Sequence, residues 1–316
     1  MKLTLSFMQK LNPLIRKFDI TMRDGLQSIP KIYTINEKKI ILNKIMSTYK
    51  PKSLEIGSLV SPRLVPQMKK SYELYQYANF MYNYMHNGNG IDNGNSNGIT
   101  NKCDFYLFIP PTHKYLEIAK KLNIRNIVLN TSVSNQYQIK HNEQSIQETK
   151  DIIKYALKEP NTFDNVKLYV SCITNCPIKG KQDNDHIINE LYEYLHIDGI
   201  TEVCLSDTCG NMRYNDFRHI VDYLNIEMNY KLNKISLDLH INMNYESKYY
   251  NIDNIIYYAL INKIYKFNVS SFENIYFGNG HVNIDISKFN NNLTYDRLYE
   301  GLYSTIYKLY NSHNKM

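Results

Sequence analysis

Eight short apolar runs recur along this chain of 316 residues, each followed by a stretch with apolar residues at helical spacing, and this alternation limits the fold more than any other feature. The first run is Phe18-Asp19-Ile20-Thr21-Met22, and after it Leu42, Ile45, Met46 and Tyr49 lie at i, i+3, i+4 and i+7. Leu54-Glu55-Ile56 precedes a helical segment running to about Met85, and Phe105 to Ile109 precedes Tyr115, Ile118, Ala119 and Leu122. Ile127-Val128-Leu129 leads to Ile152, Ile153 and Ala156, and Leu168-Tyr169-Val170 leads to Ile188, Leu191, Tyr192 and Leu195. Val203-Cys204-Leu205 leads to Phe217, Ile220, Val221 and Leu224, and Ile235 to Leu239 leads to Ile252, Ile255, Ile256 and Ala259. The last run covers residues 266–270 and is followed by Leu302, Ile306 and Leu309. Strands this apolar, with no hairpin dipeptide between them, run parallel and are joined by helical crossovers. Eight such units close an α/β fold of the (β/α)8 TIM barrel type; a doubly wound open sheet is the alternative with the same alternation.

One interruption breaks the rhythm. Residues 87–101 are rich in Gly and Asn and lack any period, so they cannot bury a core, and the sequence predicts a disordered surface insertion on the face opposite a barrel's active site. The remainder, residues 1–316 as a whole, is expected to form one TIM-barrel domain. Composition agrees with a globular chain, at 43% hydrophobic and 21% charged residues. The 37 basic and 30 acidic side chains leave +7 without a dominating run, which argues against a nucleic-acid partner. No stretch approaches the roughly 20 apolar residues of a membrane span, and the first residues lack a secretory core, so no membrane partner is expected. Five cysteines, Cys103, Cys172, Cys176, Cys204 and Cys209, are too few for a disulfide scaffold and fit a reducing, cytoplasmic compartment. Lys2, Lys10, Arg16 and Lys17, free of acids, leave a mitochondrial placement as the alternative.

Barrel enzymes carry their reactive groups at the C-terminal ends of the strands. That rule selects Arg23 and Asp24 after the first strand, Glu55 on the second, Ser206-Asp207-Thr208 after the sixth and His240-Ile241-Asn242 after the seventh. An arginine, several carboxylates and an imidazole on one rim suit a divalent metal beside an oxyanion. Singly, each has a structural reading: a loop cap, a salt-bridge partner, a core histidine. Cys172 and Cys176, four apart, are read as reduced thiols rather than as half of a metal site. Lys167, Lys179 and Lys181 are candidates to meet coenzyme A phosphates, against the plainer reading of solvated surface.

At these residues the chain resembles the hydroxymethylglutaryl-coenzyme A lyases, within the metal-dependent barrel superfamily that includes homocitrate and isopropylmalate synthases. Met22-Arg23-Asp24-Gly25-Leu26-Gln27 is similar to the family's opening motif, and the segment from Leu54-Glu55-Ile56-Gly57 to Pro66-Gln67-Met68 to its second-strand signature. Tyr169-Val170-Ser171-Cys172 with Cys176-Pro177 and Gly180-Lys181 resembles the fifth-strand loop, and Leu205-Ser206-Asp207-Thr208 the sixth. The resemblance covers residues of about 18–210 and fades over the last third. It implies a TIM barrel that cleaves a carbon-carbon bond of a 3-hydroxyacyl-CoA, with Mg or Mn as cofactor and acyl-CoA as partner, and it leaves a homodimer open. Carried over, Asp24 and His240 are metal ligands, Arg23 stabilises the enolate, and Glu55 and Asp207 are polar pocket residues.

Departures from the family pattern open a second reading. Where the family has His-x-His, both metal ligands, strand 7 here gives His240-Ile241-Asn242. The family's glycine-rich lid and its cysteine have no counterpart, since no cysteine follows Cys209. The family's last ligand, an Asn, corresponds to Asn279 or, shifted by two, to His281. In the latter register Asn242 and His281 have exchanged an imidazole and an amide, and Asp24, His240, Asn242 and His281 keep the same donor inventory. One reading is therefore an active metal-dependent lyase. The other is a catalytically impaired descendant that keeps the barrel as a binding protein.

Overall fold

The computed structural model describes residues 13–27, 29–89, 102–227, 232–241, 248–271 and 292–313. Within them the apolar runs are strands β1 (Arg16–Asp19), β2 (Ser53–Ser58), β3 (Asp104–Phe108), β4 (Asn126–Ser132), β5 (Asn165–Ser171), β6 (Glu202–Ser206), β7 (Ile235–Asp238) and β8 (Lys266–Val269). Each pairs in parallel with its sequence neighbours, and β8 returns to β1 with Arg16 beside Lys266 and Asp19 beside Val269. That last pairing removes both sheet edges and decides for the barrel against the open sheet.

The helices are α1 (Ile35–Thr48), α2 (Ser71–Asn79), α3 (His113–Lys121), α4 (Asn135–Asn142), α5 (Ile146–Ala156), α6 (Asn184–Leu195), α7 (Tyr214–Asp222), α8 (Lys248–Ile261) and α9 (Tyr295–His313). Their apolar stripes pack on the outward side chains of the strands; in α1 these are Ile41, Leu42, Ile45 and Met46. The starts are written in the sequence. Thr34 with Glu37 and Ser145 with Glu148 form capping boxes for α1 and α5, each hydroxyl accepting an N–H while the Glu carboxylate takes the cap residue's own N–H.

Several elements differ from the sequence expectation. The first strand is shorter than residues 18–22, because the Ile20 carbonyl accepts the N–H groups of both Asp24 and Gly25 and winds Thr21–Gly25 into a π-type turn. The helix expected to reach Met85 is α2 followed by a π-type segment, Phe80–Asn89. Helix α4 and a short antiparallel pair, Asn175–Cys176 with Gly180–Lys181, have no apolar period long enough to be seen. The Gly/Asn-rich insertion lies outside the described residues from position 90 onward.

Gly57 marks a close approach. β2 shifts register against β3 between Glu55 and Gly57, and a Cβ at position 57 would collide with Ser71 Oγ. That hydroxyl accepts the Ser58 N–H at 3.1 Å and donates to the Met68 carbonyl at 2.7 Å, pinning the start of α2 to the strand that carries Glu55.

Inside the barrel, Phe18, Ile20, Tyr106, Val128, Tyr169 and Cys204 form an apolar plug. Alternate residues of β5, Lys167 and Tyr169, share its inward face and sit level with Glu202 and Cys204 of β6. Lys167 is only 2% exposed, which corrects its reading as a phosphate-binding surface lysine. Its ammonium pairs with Glu202 at 2.6 Å and lies 3.9 Å from the Phe18 ring centroid, and Lys266 reaches the other Glu202 oxygen at 3.2 Å. Burial pushes the Glu202 carboxyl up, but the two lysines outweigh it and hold it down at about 2.

Candidate active site

The π-type turn after β1 lifts Arg23 and Asp24 over the C-terminal mouth of the barrel. Arg23 Nη1 is 2.5 Å from Asp24 Oδ1, and its Nε is 2.9 Å from Glu55 Oε1. The second contact is one of charge, since Nε and Oε1 approach without hydrogen-bond alignment. Phe108 and Tyr169 flank the guanidinium with ring centroids at 5.6 and 5.4 Å. Burial works against the Arg23 charge, but Glu55 and then Asp24 overcome it and hold the group well above its ordinary value. A permanent cation at the mouth results.

The two carboxylates respond differently to the same cation. Burial raises both, yet for Asp24 the attraction of Arg23, then of His240, and a hydrogen bond from Asn292 leave it below the usual range. For Glu55, 0% exposed, burial wins and the carboxyl stays above its ordinary value despite Arg23. The Tyr169 hydroxyl donates to Glu55 Oε2 at 3.1 Å.

Asp207 does not share this geometry. Its carboxylate accepts the N–H groups of Asn211 at 3.1 Å and Met212 at 3.0 Å, closing the loop after β6, and burial pushes it up to about 6. Arg23, Asp24, Ser58, Phe108, Tyr169 and His240 line a cavity of 520 Å³; Asp207 instead faces an adjoining one of 430 Å³ that shares His240. Lys181 and Asp216 stand at the second cavity and pair at 3.2 Å.

His240 joins the site through the chain's return. Its backbone forms an antiparallel bridge with Asn292, while Ser270 pairs with Thr294, so residues 292–294 cross the mouth beside β7 and β8. Asn292 Nδ2 donates to Asp24 Oδ2 at 2.8 Å. Burial opposes the imidazolium, but Asp238, Asp24 and Asp207 together raise His240 above its ordinary value. Among the described residues its Nδ1 is buried without a hydrogen-bond partner, a sign of a polar atom prepared for something else. Asn242 and His281, and the alternative Asn279, lie outside the described residues. Asn292 was not anticipated: it stands in a run of asparagines after a long segment without period, and only the tertiary bridge to His240 marks it. Tyr169 was quoted as part of a motif but without a role; its neighbour Asn268 carried no sequence signal.

Among the described residues no three His, Cys, Asp or Glu side chains converge on one metal-sized point. With the amide of Asn292 counted, Asp24 and His240 give a carboxylate, an imidazole whose Nδ1 has no partner among the described residues, and an amide, a donor set that suits a hard divalent cation. None of the five cysteines is in a disulfide; Cys176 accepts the N–H groups of Ile178 and Lys179, and no described group uses it with Cys172 as metal ligands.

A family model described as HMGL-like matches residues 15–245, about three quarters of the chain. The chain belongs to the HMGL-like family. Hydroxymethylglutaryl-CoA lyase of Pseudomonas mevalonii is 24% identical to this HMGL-like chain over 200 residues, 62% of the chain and 58% of that protein. The match thus spans little more than half the length of that relative. A crystal structure of hydroxymethylglutaryl-CoA lyase from Pseudomonas aeruginosa superposes with a TM-score of 0.68 at 22% identity, covering 92% of this chain and 86% of that one. An HMG-CoA lyase from Acinetobacter baumannii, in complex with coenzyme A and 3-methylmalate, gives 0.67 at 18% identity over 90% and 82%. At these identities the superpositions establish the barrel fold of the HMGL-like chain. No described helix is long and apolar enough to cross a membrane.

Proposed function

We propose that this HMGL-like chain cleaves the carbon-carbon bond between C2 and C3 of a 3-hydroxyacyl-CoA. With hydroxymethylglutaryl-CoA, the substrate in the names of its relatives, the products are acetoacetate and acetyl-CoA. The observation that carries the reading is Arg23, a buried permanent cation between Asp24 and Glu55 that opens onto the 520 Å³ cavity. In the cleavage the 3-hydroxyl loses its proton, C3 becomes a carbonyl, and the electrons of the C2–C3 bond pass into the thioester, where an enolate oxygen forms. A fixed cation aimed at that oxygen stabilises charge that exists only once the bond is breaking. The hydroxyl proton leaves to water in the open cavity, because His240 Nδ1, with no hydrogen-bond partner among the described residues, is the donor kept for the cation. C2 then takes a proton from water, which balances the one lost by the hydroxyl and completes acetyl-CoA.

Asp24, His240 and Asn292 would hold Mg or Mn, with Asn242 and His281 as the further donors read from the sequence. A bound divalent cation would supply Lewis acidity toward the substrate's hydroxyl and carboxylate oxygens. Acyl-CoA as partner is supported by the coenzyme A bound in the Acinetobacter baumannii lyase. Five cysteines outside any disulfide suit the reducing cytoplasm.

One observation favours the second reading, a descendant that binds without turnover: both Asp24 oxygens are engaged by protein groups, Oδ1 by Arg23 and Oδ2 by Asn292. Incubation with hydroxymethylglutaryl-CoA and Mg or Mn, with acetoacetate measured, separates the two. Acetoacetate that disappears in Arg23→Met supports the lyase; none from the parent at any metal concentration supports the binding protein.

A further inference from the structure

Beneath the mouth, the barrel interior holds a row of polar side chains that the lyase chemistry does not touch. Lys167 Nζ donates to Asn268 Oδ1 at 2.6 Å, Asn268 Nδ2 donates to the Tyr169 hydroxyl at 3.0 Å, and that hydroxyl donates to Glu55 Oε2 at 3.1 Å. The row ends on Arg23, 2.9 Å from the other Glu55 oxygen. All four of its members are nearly inaccessible: Lys167 is 2% exposed, Asn268 1%, Tyr169 4% and Glu55 0%.

The direction of every bond in this row follows from its first member. An ammonium has donors and no acceptor, so the Asn268 amide must present its oxygen to Lys167 and its NH₂ to Tyr169. The tyrosine oxygen then serves as acceptor, and its one proton is left for Glu55. Glu55 thereby keeps one oxygen satisfied from below and offers the other to Arg23. Without the ammonium the amide is free to turn, its oxygen takes the tyrosine proton, and the buried carboxylate loses its donor. A row of this kind is strengthened by the low polarity around it and is costly when one link reverses.

We propose that Lys167 and Asn268 are positioning residues: from the barrel interior they fix the Tyr169 proton on Glu55 and so hold Arg23 at the mouth. The inference rests on the lyase reading for its effect on rate, while the linkage itself is independent of turnover. Neither residue reaches the cavity, whose lining includes Tyr169 and Arg23 but not Lys167 or Asn268. Lys167 is also anchored from behind, by Glu202 at 2.6 Å and through it Lys266, so its position does not depend on substrate.

Asn268→Asp is the decisive variant, because it is nearly isosteric and keeps the Lys167 contact while removing the donor to Tyr169. With hydroxymethylglutaryl-CoA and Mn, it should lower kcat about tenfold, the lower end for groups that orient a reactive residue, with KM changed less than about twofold. Tyr169→Phe should lose a similar factor, and Asn268→Asp/Tyr169→Phe should be no slower than Tyr169→Phe alone. A double variant as slow as the product of the two single losses would overturn the proposal, as would a loss confined to KM. The same three variants measured by thermal unfolding decide the linkage without turnover: a combined loss in Tm well below the sum supports the row, and a fully additive loss overturns it. A parent that releases no acetoacetate defeats the lyase reading alone and leaves the unfolding cycle to judge the row. Lys167→Met, if it folds, should match Asn268→Asp in kcat; wild-type kcat in that variant would again overturn the proposal.

Discussion

Replacing Arg23 by Met removes the cation from a site where one carboxylate has no access to water. Glu55 is 0% exposed, and its charge is offset by Arg23 at 2.9 Å and by one hydrogen bond from Tyr169. Removing one partner of a buried pair costs ~3–5 kcal/mol when the other charge stays buried. Glu55 limits that cost, because burial already holds its pKa above the usual range with the arginine present, and without it the carboxyl takes up a proton instead. The sign of the pH dependence follows. In the variant the folded-state pKa lies further above the unfolded one, so stability is fully present below the unfolded pKa and is lost as pH rises through the folded value. Arg23→Met should therefore be destabilised by about 3 kcal/mol near pH 8 and by much less near pH 5. Adding Glu55→Gln removes the titrating group and should flatten the difference between the two pH values. The assay is urea unfolding of parent, Arg23→Met and Arg23→Met/Glu55→Gln at both pH values. A pH-independent loss in Arg23→Met, or a double variant whose losses simply add, would refute the coupling of Arg23 to a buried, titrating Glu55. In the same variant lyase turnover should fall at least roughly 100-fold, the scale of one oxyanion-stabilising group.

Four further outcomes are expected. Gly57→Ala should cost ~1–3 kcal/mol by thermal unfolding, because its Cβ meets the Ser71 hydroxyl that pins α2; adding Ser71→Gly should recover part of it, and no recovery would sink the contact. Burial pushes Asp19 up to about 6 despite hydrogen bonds from Thr21 and Tyr295, so its stabilising effect is greatest below the unfolded pKa and is lost as pH rises toward 6; Asp19→Asn should flatten the parent's Tm across that window. Replacing residues 90–101 by a short Gly/Ser linker should shift stability by less than about 1 kcal/mol, and failure to fold would contradict their compositional reading. Mn binding by calorimetry should be lost in Asp24→Ala and His240→Ala; loss in Asn292→Ala but not His281→Ala would give the amide position to Asn292, and the reverse would support the exchange of Asn242 and His281.

The barrel was legible because its two periods are enforced by burial on every unit. Leu42, Ile45 and Met46 on α1, or Leu168 and Val170 on β5, face the same core between strand and helix, and a register error at any of them would expose a whole apolar face. Where burial does not impose a period, the sequence misled. Thr21 and Met22 read as the end of the strand because Phe18, Ile20 and Met22 alternate with polar residues, yet three N–H groups turn onto the Ile20 carbonyl and the chain coils over Thr21–Gly25. Helix α4 was invisible for the same reason: of its eight residues only Gln138 is buried, so no apolar stripe exists to be counted.

The candidate site was legible only where a motif supplied it. Arg23, Asp24 and His240 stand just past strand ends, where the barrel rule alone directs attention, and all three line one cavity, while Glu55 lies within β2, fully buried against Arg23. Asn292 and Asn268 could not be found that way. The first reaches Asp24 from 268 positions away, through a bridge to His240 that no local pattern encodes. The second sits on an inward position of β8, where an apolar residue would fill the barrel equally well, and its reason for being polar is Lys167 on a strand 101 positions earlier. Lys167 itself was misjudged because a lysine in sequence is by default a surface charge. A strand that buries a lysine must bury its partners too, and here those partners are Glu202 and Asn268, supplied by the neighbouring β6 and by β8. The polar residues that look out of place in apolar strands are therefore one connected set. Their burial makes sense as support for the cation at the mouth, since a wholly apolar interior would leave Glu55 with no donor beneath it and Arg23 with a less firmly held counter-ion.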